Sequence, residues 1–401
     1  MKAAVYYGAG DIRVEERPVP EPGPDEVLLR VKACGICGSD VEAYQVGIYE
    51  PGVVIGHELA AEVVEVGEGV EGWLPGDRAT VNGVIPCLTC AYCRAGRPSL
   101  CENVVMTGLT MDGGMAEFMK APARALHRLP EGMSDIEGAL VDPLAMALHG
   151  VNLSRLRPGD RVLVLGGGPI GLFTTMAAFL AGAAEVYVSE VNPYRAELAR
   201  QLGATRVVDP SRENLAYLMD SLTGGQGCDV AFLCAGSAES MAEPFTLVKK
   251  GGQMVVLGIC HDPVPADFLT LVMSELEVRG SYASYDEYDR AIALLAAGRI
   301  RPLPLVTATI PLEQVVEEGF AVLARHDARA MKIIVQPQAA RFSPGAAPGE
   351  AQASGAGGRG NSARWEEGRE GCEAGKPGVP GGHEGGHQCG RRIPAAGEER
   401  E

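Results

Sequence analysis

The sequence is poor in three features that mark membrane, nucleic-acid-binding and secreted proteins. It has no run of about eighteen apolar residues, so we predict no segment that crosses a membrane. Its 35 lysines and arginines are outnumbered by 52 aspartates and glutamates, and the net charge of −17 argues against nucleic acid or an anionic membrane as a partner. The first residues, Met1 to Tyr7, include no apolar segment followed by a cleavage site. We therefore expect a soluble, cytoplasmic protein.

Four cysteines stand close together between positions 87 and 101. They are Cys87, Cys90, Cys93 and Cys101, in the run Cys-Leu-Thr-Cys-Ala-Tyr-Cys-Arg-Ala-Gly-Arg-Pro-Ser-Leu-Cys. A turning loop with two-residue gaps lets four thiolates converge on a tetrahedral ion. The alternative is two disulfides, but thiols in a reducing compartment stay reduced, which favours a metal. The run therefore predicts a structural zinc site, which has four protein ligands and no open position for substrate.

The pattern of the chain changes near Pro158. Before it, short strand-like segments such as Glu26–Ala33 lie between Gly, Pro and Asp turns and predict a β-rich domain. After it, strands such as Arg161–Leu165 alternate with helices of about ten residues, which is typical of βαβ units and of a doubly wound parallel sheet. The fold class is therefore α/β. The boundaries we expect are 1–152 for the first domain with a cysteine lobe at 84–104, 153–285 for the second, 286–337 for a segment that returns to the first, and 338–401 for a tail.

The tail has almost no large apolar residues and is rich in Gly, Ala, Pro, Arg and Glu. Such a composition buries too little surface to offset the entropy of ordering, so we predict disorder. The alternative is a small metal knuckle, for which nothing nearby could form a core. Its ligands would be Cys372, His383, His387 and Cys389.

A glycine-rich turn follows the buried strand Arg161–Leu165. Gly166, Gly168 and Gly171 have the spacing Gly-x-Gly-x-x-Gly and stand between a strand and a helix, which is the context that a dinucleotide site requires. Pro169 suits the first turn of that helix, whose free N–H groups favour a pyrophosphate. About twenty residues on, Glu190 ends the second strand, where a carboxylate accepts hydrogen bonds from ribose hydroxyls and repels a 2′-phosphate. We therefore predict NAD rather than NADP, although Arg195 lies close by.

Further motifs complete a known pattern. They are Cys-Gly-Ile-Cys-Gly-Ser-Asp at 34–40, Gly-His-Glu at 56–58, the four-cysteine lobe at 87–101, Asp-Pro-Leu at 142–144 and the glycine turn at 166–171. Together they resemble the zinc-containing medium-chain dehydrogenases, in the branch of the sorbitol, butanediol and L-threonine dehydrogenases. The resemblance runs from Met1 to about Val335. It implies that the first domain is GroES-like and that the second is a Rossmann domain.

The resemblance also implies a second, catalytic zinc. Cys37 and His57 would be its ligands, Glu58 would bind it directly or through water, and Asp142 falls where this branch carries an acid near the metal. Ser39 would pass on the substrate's proton and Asp40 would orient His57. The positions expected to line the nicotinamide cofactor are Ile170, Glu190, Arg195, Leu257, Gly258 and Ile259. Cys34 matches a position that the family does not use as a ligand, and we interpret it as a buried thiol.

Four positions depart from the family pattern: Ala61 replaces a glycine that is usual in the family, and the three others leave the substrate open. Glu42 and Val84 stand where relatives carry histidines, and Ala283 stands where sorbitol dehydrogenases carry an arginine. We expect an NAD- and zinc-dependent dehydrogenase that oxidises a secondary alcohol or a polyol. The resemblance implies that the protein is a dimer or a tetramer. The alternatives are L-threonine 3-dehydrogenase and, in another class, a non-catalytic dinucleotide-binding protein.

Overall fold

The computed structural model describes residues 1–325 and 329–337. The expectations for the tail at 338–401, disorder and the Cys/His knuckle alike, lie outside these residues. Seventeen strands are described: β1 Lys2–Gly8, β2 Asp11–Glu16, β3 Glu26–Gly35, β4 Glu58–Val66, β5 Arg78–Val81, β6 Val84–Ile85, β7 Val105–Met106, β8 Phe118–Pro122, β9 Leu126–Arg128, β10 Arg161–Leu165, β11 Glu185–Ser189, β12 Arg206–Val208, β13 Cys228–Leu233, β14 Val248–Val256, β15 Glu277–Gly280, β16 Val306–Pro311 and β17 Lys332–Gln336.

The helices are mostly short, and among the described residues none is long and apolar enough to cross a membrane. The α-helices are α1 Gly38–Val46, α2 Ala91–Arg94, α3 Asp135–Ala139, α4 Val141–Leu153, α5 Pro169–Leu180, α6 Pro193–Gln201, α7 Leu215–Thr223, α8 Ala238–Ala242, α9 Phe268–Met273, α10 Tyr288–Ala296 and α11 Ala321–Ala324. A π-helix spans Val315–Phe320.

The part we call the second lobe is built on a six-stranded parallel sheet in the order β12-β11-β10-β13-β14-β15, with helices between its strands. Strand β10 is apolar and fully buried from Val162 to Leu165, as expected for a strand covered on both faces. The strand order reverses between β10 and β13, and the crevice at the carboxyl ends of these strands is where such sheets bind their ligands. The predicted doubly wound sheet is confirmed.

The first lobe is built on a mixed sheet in the order β16-β17-β3-β4-β5-β9, to which β8 adds by pairing with β3. The strands β16 and β17 come from the end of the described chain. Strand β17 pairs antiparallel with β3 through Ile334 opposite Gly35 and Val335 opposite Cys34. The last described strand therefore lies directly beside the segment that leads to Cys37.

Three local predictions differ from the structure. The extended segment expected at 113–119 is a strand only from Phe118, because Gly113 packs so close to Gly56 that a Cβ on it would lie 2.1 Å from the Gly56 carbonyl oxygen. The helix expected near 241–248 ends as α8 at Ala242, before Pro244, and Val248 already begins β14. The helices α3 and α4 are absent from the predictions, because α3 has only five residues and the buried positions of α4 include the polar Asp142 and the small Ala145, Ala147 and Gly150, which form no stripe of large apolar residues.

Candidate active site

The junctions of β3 with α1 and of the preceding loop with β4 bring three predicted residues together. Cys37 occupies the cap position of α1, and His57 precedes Glu58, the first residue of β4. Gly56 has a φ of +97°, and a Cβ there would lie 2.7 Å from the sulfur of Cys34, so only glycine fits this turn. One ligand atom from each of Cys37, His57 and Glu58 lies within 4.8 Å of the others. The three side chains can therefore share one metal ion.

The charges around His57 favour a cation. Its Nδ1 atom is buried, has no hydrogen-bond partner among the described residues, and lies 3.7 Å from Oδ1 of Asp40. Burial lowers the pKa of His57, but Asp40, Cys37 and Asp142 outweigh that effect and hold it well above its usual value. A site whose anionic groups draw a proton onto an imidazole also draws a metal ion. The donor set and its charge thus fit the zinc that the motifs predict.

Asp40 and Ser39 lie in the first turn of α1. Asp40 accepts two hydrogen bonds from residues near it in the sequence. Its Oδ2 accepts one from the backbone N–H of Cys37 at 3.0 Å, and its Oδ1 accepts one from the hydroxyl of Tyr49 at 3.3 Å. Asp40 is fully buried, and burial raises its pKa. It is therefore in place to fix both the Cys37 loop and the nearby His57 ring, while Ser39 is half-buried two residues beyond Cys37.

Glu58 forms a buried ion pair that the sequence reading missed. The ammonium of Lys332, the first residue of β17, donates to Oε1 of Glu58 at 2.7 Å, to Oε2 at 2.6 Å and to the carbonyl of Ile36 at 2.9 Å. Because both oxygens accept from Lys332, the negative charge of Glu58 is already balanced. A lysine that opens the otherwise apolar run Lys-Ile-Ile-Val was the signal available in the sequence.

Asp142 lies in the first turn of α4 and is buried. Among the described residues, the group whose ligand atoms lie within 4.8 Å of one another is Cys37, His57 and Glu58, and Asp142 is not in it. It faces the same space across Gly83, where an added Cβ would lie 3.2 Å from Oδ1 of Asp142 and 3.7 Å from Cβ of His57. The hydroxyl of Tyr288 donates a hydrogen bond to this Oδ1. Asp142 is thus close enough to act on a metal or on its water.

A second contact that the sequence did not reveal joins the two lobes. Nε2 of His261, in the loop after β14, lies 2.5 Å from Oε1 of Glu42 on α1. Glu42 is the position where relatives carry a histidine, and here a histidine from the other lobe pairs with it. His261 belongs to the segment that also contains Leu257, Gly258 and Ile259.

The glycine turn has the geometry of a dinucleotide site. Gly166 has a φ of +100°, and a Cβ on Gly171 would lie 1.8 Å from the Gly166 carbonyl oxygen, so both positions require glycine. Gly168 caps α5, and an added Cβ there would meet nothing within 4 Å, so the space before the helix N-terminus is open. Pro169 and Ile170 are the first two residues of α5. Open space beside free N–H groups fits a pyrophosphate.

The second part of this site is the end of β11. Oε2 of Glu190 accepts a hydrogen bond from the N–H of Gly167 at 2.7 Å, and its Oε1 accepts one from Asn192 at 2.7 Å. Nε of Arg195 is buried without a hydrogen-bond partner in the described chain. The amides of Leu257 and Gly258 bind the carbonyl of Leu233, which brings the end of β14 to the same edge of the sheet. The predicted cofactor positions therefore lie at one edge of the sheet, and Ile259, which directly follows Gly258 there, has a largely exposed side chain.

The four-cysteine lobe holds its sulfurs at metal-binding distances. The sulfurs of Cys87, Cys90, Cys93 and Cys101 lie within 4.8 Å of one another, and those of Cys90 and Cys101 are 3.9 Å apart. Zinc–sulfur bonds of about 2.3 Å in a tetrahedron would separate the sulfurs by about 3.8 Å. Hydrogen bonds from the Thr89 hydroxyl and from the N–H groups of Thr89 and Cys90 lower the pKa of Cys87 to about 5. The lobe therefore fits a zinc ion as well.

Comparisons with known proteins agree with this geometry. Residues 23–131 match the alcohol dehydrogenase GroES-like domain, and residues 169–297 match the zinc-binding dehydrogenase family. The sorbitol dehydrogenase of Gallus gallus is 34% identical over 341 residues, which cover 81% of this chain and 96% of that protein.

Two solved structures share the fold. The 2R,3R-butanediol dehydrogenase from Bacillus subtilis superposes with a TM-score of 0.79 at 34% identity, over 84% of this chain and 99% of that one. A zinc-binding dehydrogenase from Sinorhizobium meliloti 1021, solved bound to NADP, gives a TM-score of 0.77 at 35% identity over the same shares. The chain therefore belongs to the zinc-containing medium-chain dehydrogenase family, and it is an oxidoreductase whose family cofactors are zinc and a nicotinamide dinucleotide.

Proposed function

We propose that the protein oxidises a secondary alcohol or a polyol and transfers the hydride to NAD. The observation that carries this proposal is the convergence of Cys37, His57 and Glu58 within 4.8 Å, with Asp142 across Gly83. A non-catalytic dinucleotide-binding protein would have no need of these ligands. The names of the relatives, a sorbitol and a butanediol dehydrogenase, support the class of substrate.

Each residue has a role that follows from its position. Cys37 and His57 would hold the catalytic zinc, Asp142 on α4 would act on it or on its water, and Glu58, which is paired with Lys332, would act through water. Zinc, when bound, polarises the substrate hydroxyl and lowers its pKa, and NAD accepts the hydride. Ser39 receives the hydroxyl proton, and Asp40 keeps His57 in its orientation. Cys87, Cys90, Cys93 and Cys101 bind the structural zinc.

The preference for NAD rests on Glu190. Its carboxylate stands at the end of β11, held by the N–H groups of Gly167 and Asn192, where a ribose would lie. A negative charge at this place accepts hydrogen bonds from ribose hydroxyls and repels a 2′-phosphate. Arg195, with its unpartnered Nε, is the residue that would favour a phosphate, and the NADP-bound relative shows that the family accommodates one.

The remaining expectations are proposals of the same kind. We infer a catalytic domain at 1–152 joined by the return segment 286–337, and a dinucleotide-binding domain at 153–285. Thiol ligands at both metal sites need a reducing environment, which supports a cytoplasmic location. The edge strand β15 and helix α9 expose apolar side chains in the second lobe, which supports a homo-oligomer.

A substrate panel and one substitution test the proposed function. Purified protein with NAD or NADP is offered sorbitol, 2,3-butanediol and L-threonine, and we expect turnover with a diol or polyol and NAD. In Cys37→Ala, we expect kcat/KM to fall by about a thousandfold or more, because a metal ligand is lost, while dinucleotide binding and one zinc per chain remain. Full activity of that variant would refute the assignment, and activity with threonine alone would make L-threonine 3-dehydrogenase the function.

A further inference from the structure

Tyr288 is a fully buried side chain at the boundary between the return segment and α4. It is the first residue of α10, and its exposed fraction is 0%. Its ring stacks on the imidazole of His127, with centroids 4.9 Å apart and an angle of 23° between the planes. This stacking fixes the plane of the ring, so the direction in which the hydroxyl points is fixed as well.

The hydroxyl makes two hydrogen bonds, one of them to the proposed metal site. It accepts from the backbone N–H of Gly83 at 2.9 Å and donates to Oδ1 of Asp142. The phenol donates its single proton to this carboxylate and accepts through its oxygen from Gly83, so both roles of the hydroxyl are used. Because Tyr288 binds Oδ1, and no hydrogen bond to Oδ2 is found among the described residues, Oδ2 of Asp142 is left for a ligand.

The backbone around Tyr288 is tied to the same helix that carries Asp142. Oε1 of Glu287 lies 3.0 Å from Nδ1 of His149 and accepts from Nδ2 of Asn152 at 3.2 Å, and both partners are on α4. On the other side, Nδ2 of Asn82, next to Gly83, donates to the carbonyl of Tyr285 at 3.3 Å. The start of α10 is thus held against α4 and Gly83, which defines the geometry of the Tyr288–Asp142 contact.

We propose that Tyr288 is a positioning residue, whose hydroxyl holds the Asp142 carboxylate in the orientation in which it serves the catalytic zinc. The proposal rests on the proposed function, since it takes Asp142 as a group of that metal site. A hydrogen bond that orients a metal-site carboxylate typically contributes about ten- to a hundredfold in metal affinity or activity. Tyr288 stands far from every motif of the sequence, so the contact appears only in the folded chain.

The test is the zinc affinity of the metal-free protein, measured by competition with a chromophoric chelator. In Tyr288→Phe, which removes only the hydroxyl, we expect the affinity of the catalytic site to fall about ten- to a hundredfold while the four-cysteine site is unchanged. The matched control is Tyr285→Phe, which removes a hydroxyl in the same segment and keeps the backbone contacts. Catalytic-site affinity in Tyr288→Phe within twofold of the wild type would overturn the proposal.

A double-mutant cycle separates positioning from general stability. If Tyr288 acts through Asp142, then Tyr288→Phe lowers zinc affinity no further in an Asp142→Asn background. Equal losses in both backgrounds would mean that the tyrosine acts elsewhere and would contradict the proposal. Should Tyr288→Phe not fold, Tyr288→Trp supplies an indole N–H donor: retained affinity supports the proposal, and loss of affinity in a folded chain refutes it.

The same measurements distinguish failure of this inference from failure of the proposed function. If the wild-type chain binds two zinc ions and Tyr288→Phe leaves the zinc affinity of the catalytic site unchanged, only the role of Tyr288 is refuted. A wild-type chain that binds one zinc ion, in the cysteine lobe, and oxidises no alcohol refutes the catalytic site itself.

Discussion

At the scale of single residues, the ion pair between Lys332 and Glu58 is a buried contact, and breaking it should lower the free energy of unfolding strongly. Both side chains are almost wholly buried, with exposed fractions of 3% and 2%. Burial lowers the pKa of Lys332, but the charge of Glu58 outweighs this and raises it, so the lysine stays charged. A buried charge that loses its partner keeps the full penalty of desolvation. The pair therefore couples the stability of the fold to the metal site.

We predict that Lys332→Met lowers the free energy of unfolding by about 3–5 kcal/mol, because it leaves Glu58 buried and unpaired. The measurement is a denaturant titration. The matched control is Lys2→Met, which breaks an exposed pair with Glu313 at 2.6 Å and should leave the free energy of unfolding nearly unchanged, because solvent screens such a pair. A loss in Lys332→Met no greater than in the control would contradict the prediction, and Lys332→Met/Glu58→Gln should recover part of the loss.

Glu190 is predicted to determine the choice of dinucleotide. In Glu190→Gln, one oxygen remains to accept from Gly167 or Asn192 while the charge is lost, so a 2′-phosphate is no longer repelled. We expect kcat/KM with NADP, relative to NAD, to rise about ten- to a hundredfold. The measurement is initial rates with both dinucleotides. In the control Glu185→Gln, at the opposite end of β11, the ratio should not change, and an unchanged ratio in Glu190→Gln would refute the role.

The sequence predicts those site residues that are adjacent in short motifs. Cys37 and His57 could be predicted because short motifs carry the resemblance to the family, and the glycine turn because its spacing and its place between a strand and a helix are local. Lys332, Tyr288 and His261 could not, since each reaches its partner from a segment more than a hundred residues away. Such contacts depend on how the end of the chain folds back, which no local pattern encodes.

At the scale of elements, the cysteine lobe depends on its metal more than on packing. It contains the two-residue strands β6 and β7 and the four-residue helix α2, which are too short to be stable alone. Four sulfurs that converge on one point are its main internal contact. Binding of zinc is therefore expected to supply most of the energy that orders this element.

We predict that Cys90→Ser/Cys93→Ser loses one zinc ion per chain and opens the lobe to trypsin at the exposed Arg94, which Ala95 follows. The measurements are metal content by mass spectrometry and limited proteolysis of the native protein. The control is Cys260→Ser, which changes a thiol outside both proposed metal sites and should keep the wild-type zinc content. An intact, trypsin-resistant lobe without its zinc would show that packing alone holds it.

Helix α4 shows why element prediction failed where it mattered for the site. It carries Asp142 in its first turn and His149 in its last part, and it packs against α5 and α10. Its buried positions mix the polar Asp142 with small residues such as Ala145 and Gly150, so no stripe of large apolar residues marks the segment as a helix. The parallel strands were easier to predict, because short Val- and Leu-rich runs between turns are typical of buried strands.

At the scale of the whole molecule, one edge of the second-lobe sheet, the strand β15, lies beside exposed apolar side chains. Strand β15 pairs with β14 on one side, and no strand of the described residues pairs with its other side. Next to this edge, α9 exposes Leu269 to 74% together with Phe268, Val272 and Met273. An edge strand beside exposed apolar side chains favours pairing with another chain. A second copy related by a two-fold axis would pair β15 with β15 and cover both patches at once.

We predict that the protein is a dimer or a larger assembly in solution and that Val272→Lys/Val278→Lys shifts it to monomers. Each added charge would have to be buried without a partner against its own copy, which costs several kcal/mol across a symmetric interface. The measurement is light scattering after size-exclusion chromatography. The control is Leu74→Lys, at an exposed apolar residue of the first lobe with an exposed fraction of 70%, which should leave the mass unchanged. If the wild type is a monomer, or if Leu74→Lys dissociates it instead, this edge is not the interface.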